Sequence, residues 1–580
     1  MIMLIIGPAI IGQNNLLQKN ITISKSNDES LFIHLSNTTL IAGETLHCKF
    51  YCLNPSDNTF SLISKIAHVE LLDSQNQNVL TNKIYLENGN GQGDFFIPTT
   101  VNTGTYKLIA YTNWMLNKKE HKISEVELVI INPYVIAKNS IVGKKNEPQK
   151  NDAQITESNS VNNAKNELFS LELNKKTAST RDQIQVKIKS LKALKSAGGS
   201  FSIAIKRADN LPSLKQKDAF EFAKSNVKST LNDSLQFLPE LRGELVSGTI
   251  INNKNPKEVA GKNIALSVPG IDFSFKIVKT DIRGKFNFIL DKLPNYPNVA
   301  IQVLESNRAD FNIEINKDKK YSLSEIKPLD DLNLTSDYKN SIEQRSVANQ
   351  IENIYYTHKR DSIKAVKKAI PFYHPAEKEY VLADYTKFPT LKETVTEILK
   401  EVYYREDNNN FTLGVRDINY DLKFFAEPAL VLVDGLLIQN TNELKDYKME
   451  NVYKISIVPG VYLYGPTAFN GIISFTTKNN DYESKEKGSY YLKTEIQRPQ
   501  EKITYFKQDY TDKSKYDRIP DYRHLLLWEP DLKLENVENS ISFFTSDVLG
   551  VYEIDLEGFT KDGSPVSLKE TFEVKDLKTN

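Results

Sequence analysis

Histidines and one histidine–glutamate pair are the residues whose types and spacing could support metal or acid–base chemistry. His374-Pro375-Ala376-Glu377 has the H-x-x-E spacing of some zinc sites, and His524 lies far enough downstream to supply a third ligand. Such a site needs rigidly held ligands, an open fourth position and a nearby catalytic acid. Here the motif straddles a proline between helical segments, and no large catalytic core fits beside it. The sequence therefore favours solvent-facing or capping roles for the seven histidines: His34, His47, His68, His121, His358, His374 and His524.

Cys48 and Cys52 are the only cysteines in the chain. If the run from His47 to Cys52 is one strand, the two Cα atoms lie about 13 Å apart, beyond the roughly 7 Å limit for a disulfide. Two buried thiols on one face of a strand is the favoured interpretation. A disulfide across a hairpin and a metal site remain as alternatives, although no second cysteine pair supports either.

The other candidates for chemistry also have structural explanations. Asp434 precedes Gly435, which is typical of a tight turn, and the glycines within residues 88–93 lie between two strand-like runs with no helix after them. No H-E-x-x-H, G-x-S-x-G or P-loop motif occurs. We therefore predict that the protein is not an enzyme and has no catalytic, cofactor-binding or metal-binding residues.

Composition indicates an ordinary globular protein with several domains. The chain has 580 residues, enough for roughly three to five domains, because single cores stop growing beyond ~250–300 residues. Its 74 basic residues balance 74 acidic ones, so no global field attracts nucleic acid or an anionic membrane. No window contains the ~18 consecutive apolar residues of a membrane-spanning helix.

The first residues are similar to the apolar part of a secretory signal. Met1 to Gly12 is apolar, is too short to span a bilayer and contains Gly7-Pro8, which would interrupt a helix. The usual preceding basic segment is missing. We predict that residues 1–13 are the remnant of a signal peptide, with a buried first strand as the alternative.

Residues 14–136 have the pattern of a β-sandwich, with short strands and turn signals every ~8–12 residues. The segments GQGDFFIP (91–98) and TGTYKLIAYT (103–112) resemble the final strand and hairpin of a macroglobulin-like domain. Residues 137–166 are rich in Asn, Lys, Ser, Glu and Gln, which predicts a solvated linker.

Two incomplete strand sets flank the centre of the chain. Residues 167–213 contain about three strands, and residues 521–580 contain about four. Together they make one immunoglobulin-sized sandwich, so we predict a single domain divided by a large insertion, with 214–242 as a helical connector. Macroglobulin-family proteins have a split domain of this kind. Trp528-Glu529-Pro530 resembles the W-x-P/W-x-W motif at the entry to that domain. Two separate sandwiches completed by partners are the alternative.

Residues 243–328 resemble the carboxypeptidase-regulatory-like, transthyretin-like sandwich. The resemblance rests on LVSGTI (245–250) and TDIRGKFNF (280–288), in which Asp281 and Gly284 suit a β-turn. It implies a structural module without peptidase activity.

Residues 329–480 are similar to the plug domain of TonB-dependent receptors. The matching segments are LVLVDG (430–435) and YGPTAFNGIISFTTK (464–478), preceded by a capping box at Thr390 to Glu393 and an amphipathic helix. A receptor barrel needs many more strands than the residues after Lys478 can supply, and residues 481–520 are predicted to be a connector. This departure from the receptor pattern, the missing barrel, puts energy-coupled import in doubt.

These features predict a mainly β, multidomain fold: macroglobulin- or immunoglobulin-like sandwiches, a transthyretin-like sandwich and an α+β plug-like domain. The combination resembles Bacteroidetes-type envelope proteins that lack the barrel. It implies an exported protein of the periplasm, outer membrane or cell surface, which presents the plug-like domain to a protein partner, with an outer-membrane β-barrel as one candidate. A plug acting in trans within a transport or assembly complex is the alternative, and a zinc peptidase is the third.

Overall fold

The computed structural model describes residues 28–120, 122–135, 167–191, 198–232, 234–291, 296–316, 321, 326, 329, 332, 334–364, 369–407, 410–416, 428–512, 516 and 518–576. The predicted signal-peptide remnant, residues 1–13, and the predicted linker, residues 137–166, lie outside the described residues, as does His121. The predicted fold class, mainly β with several β-sandwich domains, is confirmed.

The first sandwich comprises residues 28–135. Its two sheets have the strand orders β1-β3-β6 and β2-β8-β7-β4-β5. Apolar side chains from both sheets form one core, in which Leu46, Cys48 and Phe50 are buried. The strands are β1 (Ser30–Leu35), β2 (Thr39–Ile41), β3 (Thr45–Leu53), β4 (Ile66–Leu72), β5 (Asn78–Tyr85), β6 (Asn90–Phe96), β7 (Gly104–Tyr111) and β8 (Ser124–Ile131).

The next strands do not make a complete domain by themselves. They are β9 (Phe169–Leu173), β10 (Thr177–Ala178), β11 (Gln183–Ser190) and β12 (Gly199–Arg207). A short helix follows, α1 (Ala219–Ser225), in which the Asp218 side chain accepts from the backbone N–H of Glu221 as an N-cap.

A second complete sandwich, the middle sandwich, begins at Glu244. Its sheets have the orders β16-β13-β18 and β15-β14-β17, and the second sheet gains a further strand from residues 491–495. Its strands are β13 (Glu244–Asn252), β14 (Asn263–Val268), β15 (Ser274–Lys279), β16 (Lys285–Leu290), β17 (Asn298–Val303) and β18 (Phe311–Ile315).

A mixed sheet with helices follows, and we call residues 369–480 the mixed-sheet domain. The elements in this part of the chain are α2 (Lys339–Ile354), β19 (Ser362–Ile363), β20 (Lys378–Val381), α3 (Leu391–Glu397), β21 (Val402–Asp407), β22 (Asn410–Val415), β23 (Leu430–Val433), β24 (Leu436–Leu437), β25 (Val452–Tyr464) and β26 (Thr467–Thr477). The sheet order is β20-β25-β26-β23-β24, with β23 parallel to β26. Helix α3 carries the capping box at Thr390 and Glu393.

Two short strands follow the mixed-sheet domain, β27 (Tyr491–Glu495) and β28 (Ile503–Thr504). The last four strands return to the incomplete set near residue 200; they are β29 (Leu525–Leu532), β30 (Glu538–Phe544), β31 (Gly550–Thr560) and β32 (Pro565–Val574). Strand β12 lies between β31 and β29 in the order β10-β32-β31-β12-β29, and β11 lies between β30 and β9. Residues 167–207 and 525–574 thus form one split sandwich with a shared core.

Two segments differ from the sequence assignment. Within residues 481–520, expected to be a connector, β27 extends the middle sandwich and β28 pairs with β19; these strands are short and carry no clear apolar alternation. Helix α2, expected to accompany the plug-like domain, instead packs on the first sandwich, where Arg345 pairs with Glu44 at 2.7 Å. Arg345 is buried. The sequence around one charged residue does not reveal which distant residue will pair with it, so the position of α2 was not predicted.

Short 3-10 turns join several of these elements, at Met115–Asn117, Arg308–Asp310, Ser336–Tyr338, Tyr356–His358, Leu382–Asp384, Thr441–Leu444 and Met449–Asn451. Within the described ranges, every helix is too short or too polar to cross a membrane.

Candidate functional site

The H-x-x-E segment does not assemble a metal site in the described part of the chain. His374 Nδ1 lies 2.6 Å from Glu377 Oε1, so the two side chains are partners within their own turn. His524 lies on the split sandwich, where its Nε2 is 3.4 Å from Arg207 Nη1. Across the residues that the structure describes, no group of three His, Cys, Asp or Glu side chains is placed to hold a metal ion.

The cysteines and the glycine-rich run are structural. Cys48 and Cys52 lie on β3 as free, buried thiols, and burial raises the pKa of both well above the ordinary value. The predicted pair of buried thiols is therefore confirmed. Asn88 and Gly89 form the turn into β6, with φ of 52° and 76°, and residues 90–93 are the first part of that strand.

Asp434 occupies the turn between β23 and β24 and is buried there. Its φ is 49° and that of Gly435 is 81°, as the predicted tight turn requires. The carboxylate accepts hydrogen bonds from the Thr477 backbone N–H at 2.7 Å and the Thr477 hydroxyl at 2.6 Å. Asp434 therefore fixes the end of β26 beside the turn.

The part of the mixed sheet most suited to a partner is a two-stranded extension. Strand β25 pairs with β20 only at residues 454–457, and strand β26 pairs with β23 only at residues 472–475. Beyond Val458 the two strands continue as an isolated pair that ends at the Gly465-Pro466 turn. We call residues 459–470 the ribbon.

A β-bulge sets the direction of the ribbon. Val458 pairs with Ile472 and Val461 with Asn470, so Pro459 and Gly460 lie opposite the single residue Gly471. Gly471 has φ of 80°, and a Cβ there would lie 2.7 Å from both the Val415 side chain and the Val458 carbonyl oxygen. Only glycine suits this position.

The inner face of the ribbon is covered by aromatic residues. Tyr464 stacks on Phe275 of the middle sandwich with ring centroids 5.7 Å apart, and its hydroxyl donates to the Phe275 carbonyl. Tyr462 donates to the carbonyl of Phe372 at 3.0 Å. Because this face is anchored on two segments, the ribbon has a fixed orientation.

The outer face of the ribbon is apolar and accessible. Residues two apart on a strand line the same face of the sheet, which places Val461 and Leu463 together on this side, opposite Asn470 and Ala468. Leu463 is 77% exposed and Val461 is 49% exposed. The sequence has no charged residue between Lys454 and Lys478, so little charge would be desolvated when a partner covers this face.

The sheet that carries the ribbon is joined to the middle sandwich by polar contacts as well. The Gln302 amide donates to the Leu437 carbonyl at 2.8 Å, and the Leu437 N–H donates to the Ser267 hydroxyl at 3.1 Å. Gln302 and Ser267 are almost fully buried. The two domains therefore meet through satisfied buried polar groups.

Sequence reasoning singled out residues 464–478 by their resemblance to the plug domain, but it did not predict the two-stranded ribbon or its aromatic support. Phe372 and Tyr373 come from a loop before β20; Phe372 packs on Tyr462 and Tyr464, and Tyr373 packs on Phe372 within the same cluster. The only signal was an aromatic pair between two prolines, at residues 371–375. Such a pair does not reveal which strand it will cover.

Comparisons with known proteins give only distant likenesses. Salmonella alpha-2-macroglobulin reacted with methylamine aligns over 96% of this chain and 40% of that chain, with 9% identity and a TM-score of 0.23. Escherichia coli alpha-2-macroglobulin activated by porcine elastase aligns over 94% of this chain and 44% of that chain, with 9% identity and a TM-score of 0.23. Dimeric latent PorU from Porphyromonas gingivalis aligns over 51% and 33%, with 12% identity and a TM-score of 0.14.

The chain spans less than half the length of each of these three proteins. TM-scores this low establish neither a family nor an activity. No protein-family profile matches the sequence, and no curated protein matches it.

Proposed function

We propose that this protein is a non-enzymatic scaffold of the bacterial cell envelope that presents the ribbon to a protein partner. In this proposal the first and split sandwiches are macroglobulin-like, the middle sandwich is carboxypeptidase-regulatory-like, and the mixed-sheet domain is plug-like. The observation that carries it is the exposed, uncharged outer face of a ribbon whose inner face is rigidly anchored.

The anchoring favours a presenting role. A partner that binds a preformed surface does not have to order it first, so less binding free energy is lost. The fully buried core of a protein interface is more apolar than its rim, so exposed apolar residues on a rigid patch are suited to the centre of an interface. Leu463 and Val461 fit that description, and the partner proposed for them is an integral outer-membrane protein.

A photo-crosslinking amino acid at position 463 tests the proposal in the cells that make the protein. We expect one crosslinked species that fractionates with outer membranes. The double variant Val461→Asp/Leu463→Asp, combined with a crosslinker at the neighbouring residue Ala468, should lose that species, because two carboxylates must then be desolvated.

The control is Ile282→Asp. Ile282 is 84% exposed on the middle sandwich, so this variant adds one carboxylate at an exposed apolar position and leaves the ribbon intact. Undiminished crosslinking in the ribbon variant, or fractionation of the protein away from the envelope, would refute the proposal. If the crosslinked species is a stoichiometric β-barrel, the plug-like domain acts in trans in a transport or assembly complex.

The non-enzymatic part of the proposal has its own test. The pairing of His374 with Glu377 supports a structural role for both residues. We expect elemental analysis of zinc-loaded, dialysed protein to find no stoichiometric zinc. Stoichiometric zinc that disappears in His374→Ala would instead support a zinc site.

A further inference from the structure

A large cavity lies between the first sandwich and the split sandwich, away from the ribbon. Its volume is about 750 Å³, within the range of ~300–1,000 Å³ typical of small-molecule sites. The first sandwich contributes β3 and the turn from β5 to β6. The split sandwich contributes the start of β12 and the end of β29, and residues 500–502 close one side.

The cavity carries an excess of positive charge. Four lysines line it, Lys49, Lys502, Lys533 and Lys561, against the two carboxylates Asp531 and Glu87, which leaves a formal excess of two positive charges. Asp531 is shared, since it pairs with both Lys49 and Lys502. No single carboxylate can neutralise two ammonium groups.

Lys49 is the most unusual of these lysines. Its side chain is 2% exposed, and its Nζ lies 3.3 Å from Asp531 Oδ1, longer than the ~2.7–2.9 Å of strong charged hydrogen bonds. Burial lowers the pKa of Lys49 to about 8, although Asp531 acts in the opposite direction; the charges of Lys502 and Lys533 lower the pKa further. The Lys49 ammonium also lies over the Tyr51 ring, 5.6 Å from its centroid. Asp531 is its one oxygen acceptor among the described residues, so its three N–H donors suit a further anionic partner.

A second feature also indicates a ligand. Ser200, at the start of β12, is 3% exposed and lines the same cavity. Its hydroxyl has no hydrogen-bond partner within the described structure. Buried polar groups are nearly always hydrogen-bonded, because an unsatisfied one has lost its bonds to water without gaining others. An oxygen acceptor placed in the cavity would satisfy it.

The remaining walls suit the body of a small organic molecule. Phe60 and Tyr85 contribute aromatic rings, and Asn90 contributes an amide. The Asn90 Oδ1 atom is buried and has no hydrogen-bond donor in the described structure. Aromatic faces beside amides accommodate a ring that carries hydroxyl groups.

We infer that this cavity binds a small organic anion, with a carboxylate or phosphate group near Lys49 and Ser200 and a hydroxylated body between Phe60 and Tyr85. The oxyanion offsets the excess positive charge and accepts from the Ser200 hydroxyl. This site is independent of the ribbon and of the partner proposed for it.

Calorimetry with three probes that share one sugar ring tests the inference on the full chain. We expect glucuronate or glucose 6-phosphate to bind at one site and neutral glucose to show no measurable binding. Preference between the two anions tells a carboxylate ligand from a phosphate ligand. Ser200→Ala should weaken binding by at least about threefold, with no loss of folding, because it removes only an unpartnered hydroxyl.

Charge reversal at the cavity rim provides the sharper comparison. Lys533 and Lys561 are exposed, so Lys533→Glu/Lys561→Glu should fold normally and weaken anion binding at least about tenfold, or about 1.4 kcal/mol. The matched control is Lys257→Glu/Lys400→Glu, which makes the same change in net charge at exposed sites elsewhere. We expect wild-type affinity in this control.

Affinity for glucuronate should also fall as the pH rises through about 8, because Lys49 then loses its charge while the probe keeps its own. The inference is overturned if neither anion binds at millimolar concentration. It is also overturned if the rim variant and the control bind equally well, since binding would then follow net charge alone.

Discussion

At the scale of single residues, buried ionisable groups connect the sandwiches to one another. His34 of β1 lies in the interface with the split sandwich, where its Nδ1 is 2.6 Å from the Ser202 hydroxyl. Its Nε2 is 3.9 Å from Asp555. Burial lowers the pKa of His34 to about 4, although Asp555 acts in the opposite direction; Lys206 and Lys569 lower the pKa further.

This depressed pKa predicts a loss of stability in acid. An unfolded histidine with a pKa near 6.5 binds a proton more readily than buried His34, so its contribution is complete above about pH 6.5 and is lost as the pH falls towards 4. At pH 5 the loss is about 2 kcal/mol. Denaturant unfolding should show that the free energy of unfolding falls more between pH 7.5 and pH 5 in wild type than in His34→Gln. Equal losses in the two proteins would contradict the assignment.

Residues that depend on local sequence were the easier ones to predict. Cys48 and Cys52 share a strand, and Asp434 is followed by Gly435, so short spacing was sufficient to interpret them. His34 has partners 168 and 521 positions away in the chain, at Ser202 and Asp555. No local pattern in a single sequence identifies such partners, and the Lys49–Asp531 pair was missed for the same reason.

At the scale of elements, the approach of β12 to β31 determines whether the split sandwich closes. Gly558 of β31 pairs with Phe201 of β12. A Cβ at Gly558 would lie 2.4 Å from the Ser200 carbonyl oxygen. This distance is too short for any side chain, so the two backbones must move apart if the residue is larger.

Gly558→Ala should therefore destabilise the protein by about 1–3 kcal/mol, the usual cost of overpacking. The control is Gly104→Ala at the start of β7, where the nearest atom to a new Cβ is 3.8 Å away. We expect denaturant melts to show the loss only for Gly558→Ala. Similar stabilities for the two variants would argue against a tight strand contact.

Elements with strong local signals were predicted and weak ones were not. Thr390 and Glu393 indicated the start of α3, and Asp434-Gly435 indicated the turn after β23, because caps and tight turns depend on a few adjacent residues. The five-residue strand β27 has partly or fully exposed side chains throughout. Because β27 has no buried face, its sequence does not alternate between apolar and polar residues. Its pairing with the middle sandwich could therefore not be predicted from the sequence.

At the scale of the whole molecule, one buried carboxylate joins three parts of the chain. Glu244 of the middle sandwich pairs with Lys83 of the first sandwich and, at 2.7 Å, with Arg498 of the segment after β27. Glu244 is 1% exposed and Arg498 is 8% exposed. A chain with zero net charge thus keeps opposite charges paired inside its domain junctions.

Glu244→Gln should destabilise this junction by about 3–5 kcal/mol, because it leaves two cations without their buried counterion. Hydrogen exchange should show faster exchange in β5 and β13 than in wild type. Glu314→Gln, an exposed change on the same sandwich, should leave both stability and exchange unchanged. Unaltered exchange in Glu244→Gln would show that the junction does not depend on this charge.

The position of β12 between β29 and β31 has a consequence for synthesis. On the ribosome β12 emerges more than 300 residues before β29 and β31, so both of its edges lack their final partners while the middle sandwich and the mixed-sheet domain are made. Unpaired strand edges readily pair with other chains. The inserted domains can fold during this interval, whereas the sandwich around them cannot be completed until β32, which ends at Val574, has been made. Among the early strands of the split sandwich, β12 would therefore depend most on a chaperone that shields unpaired strand edges.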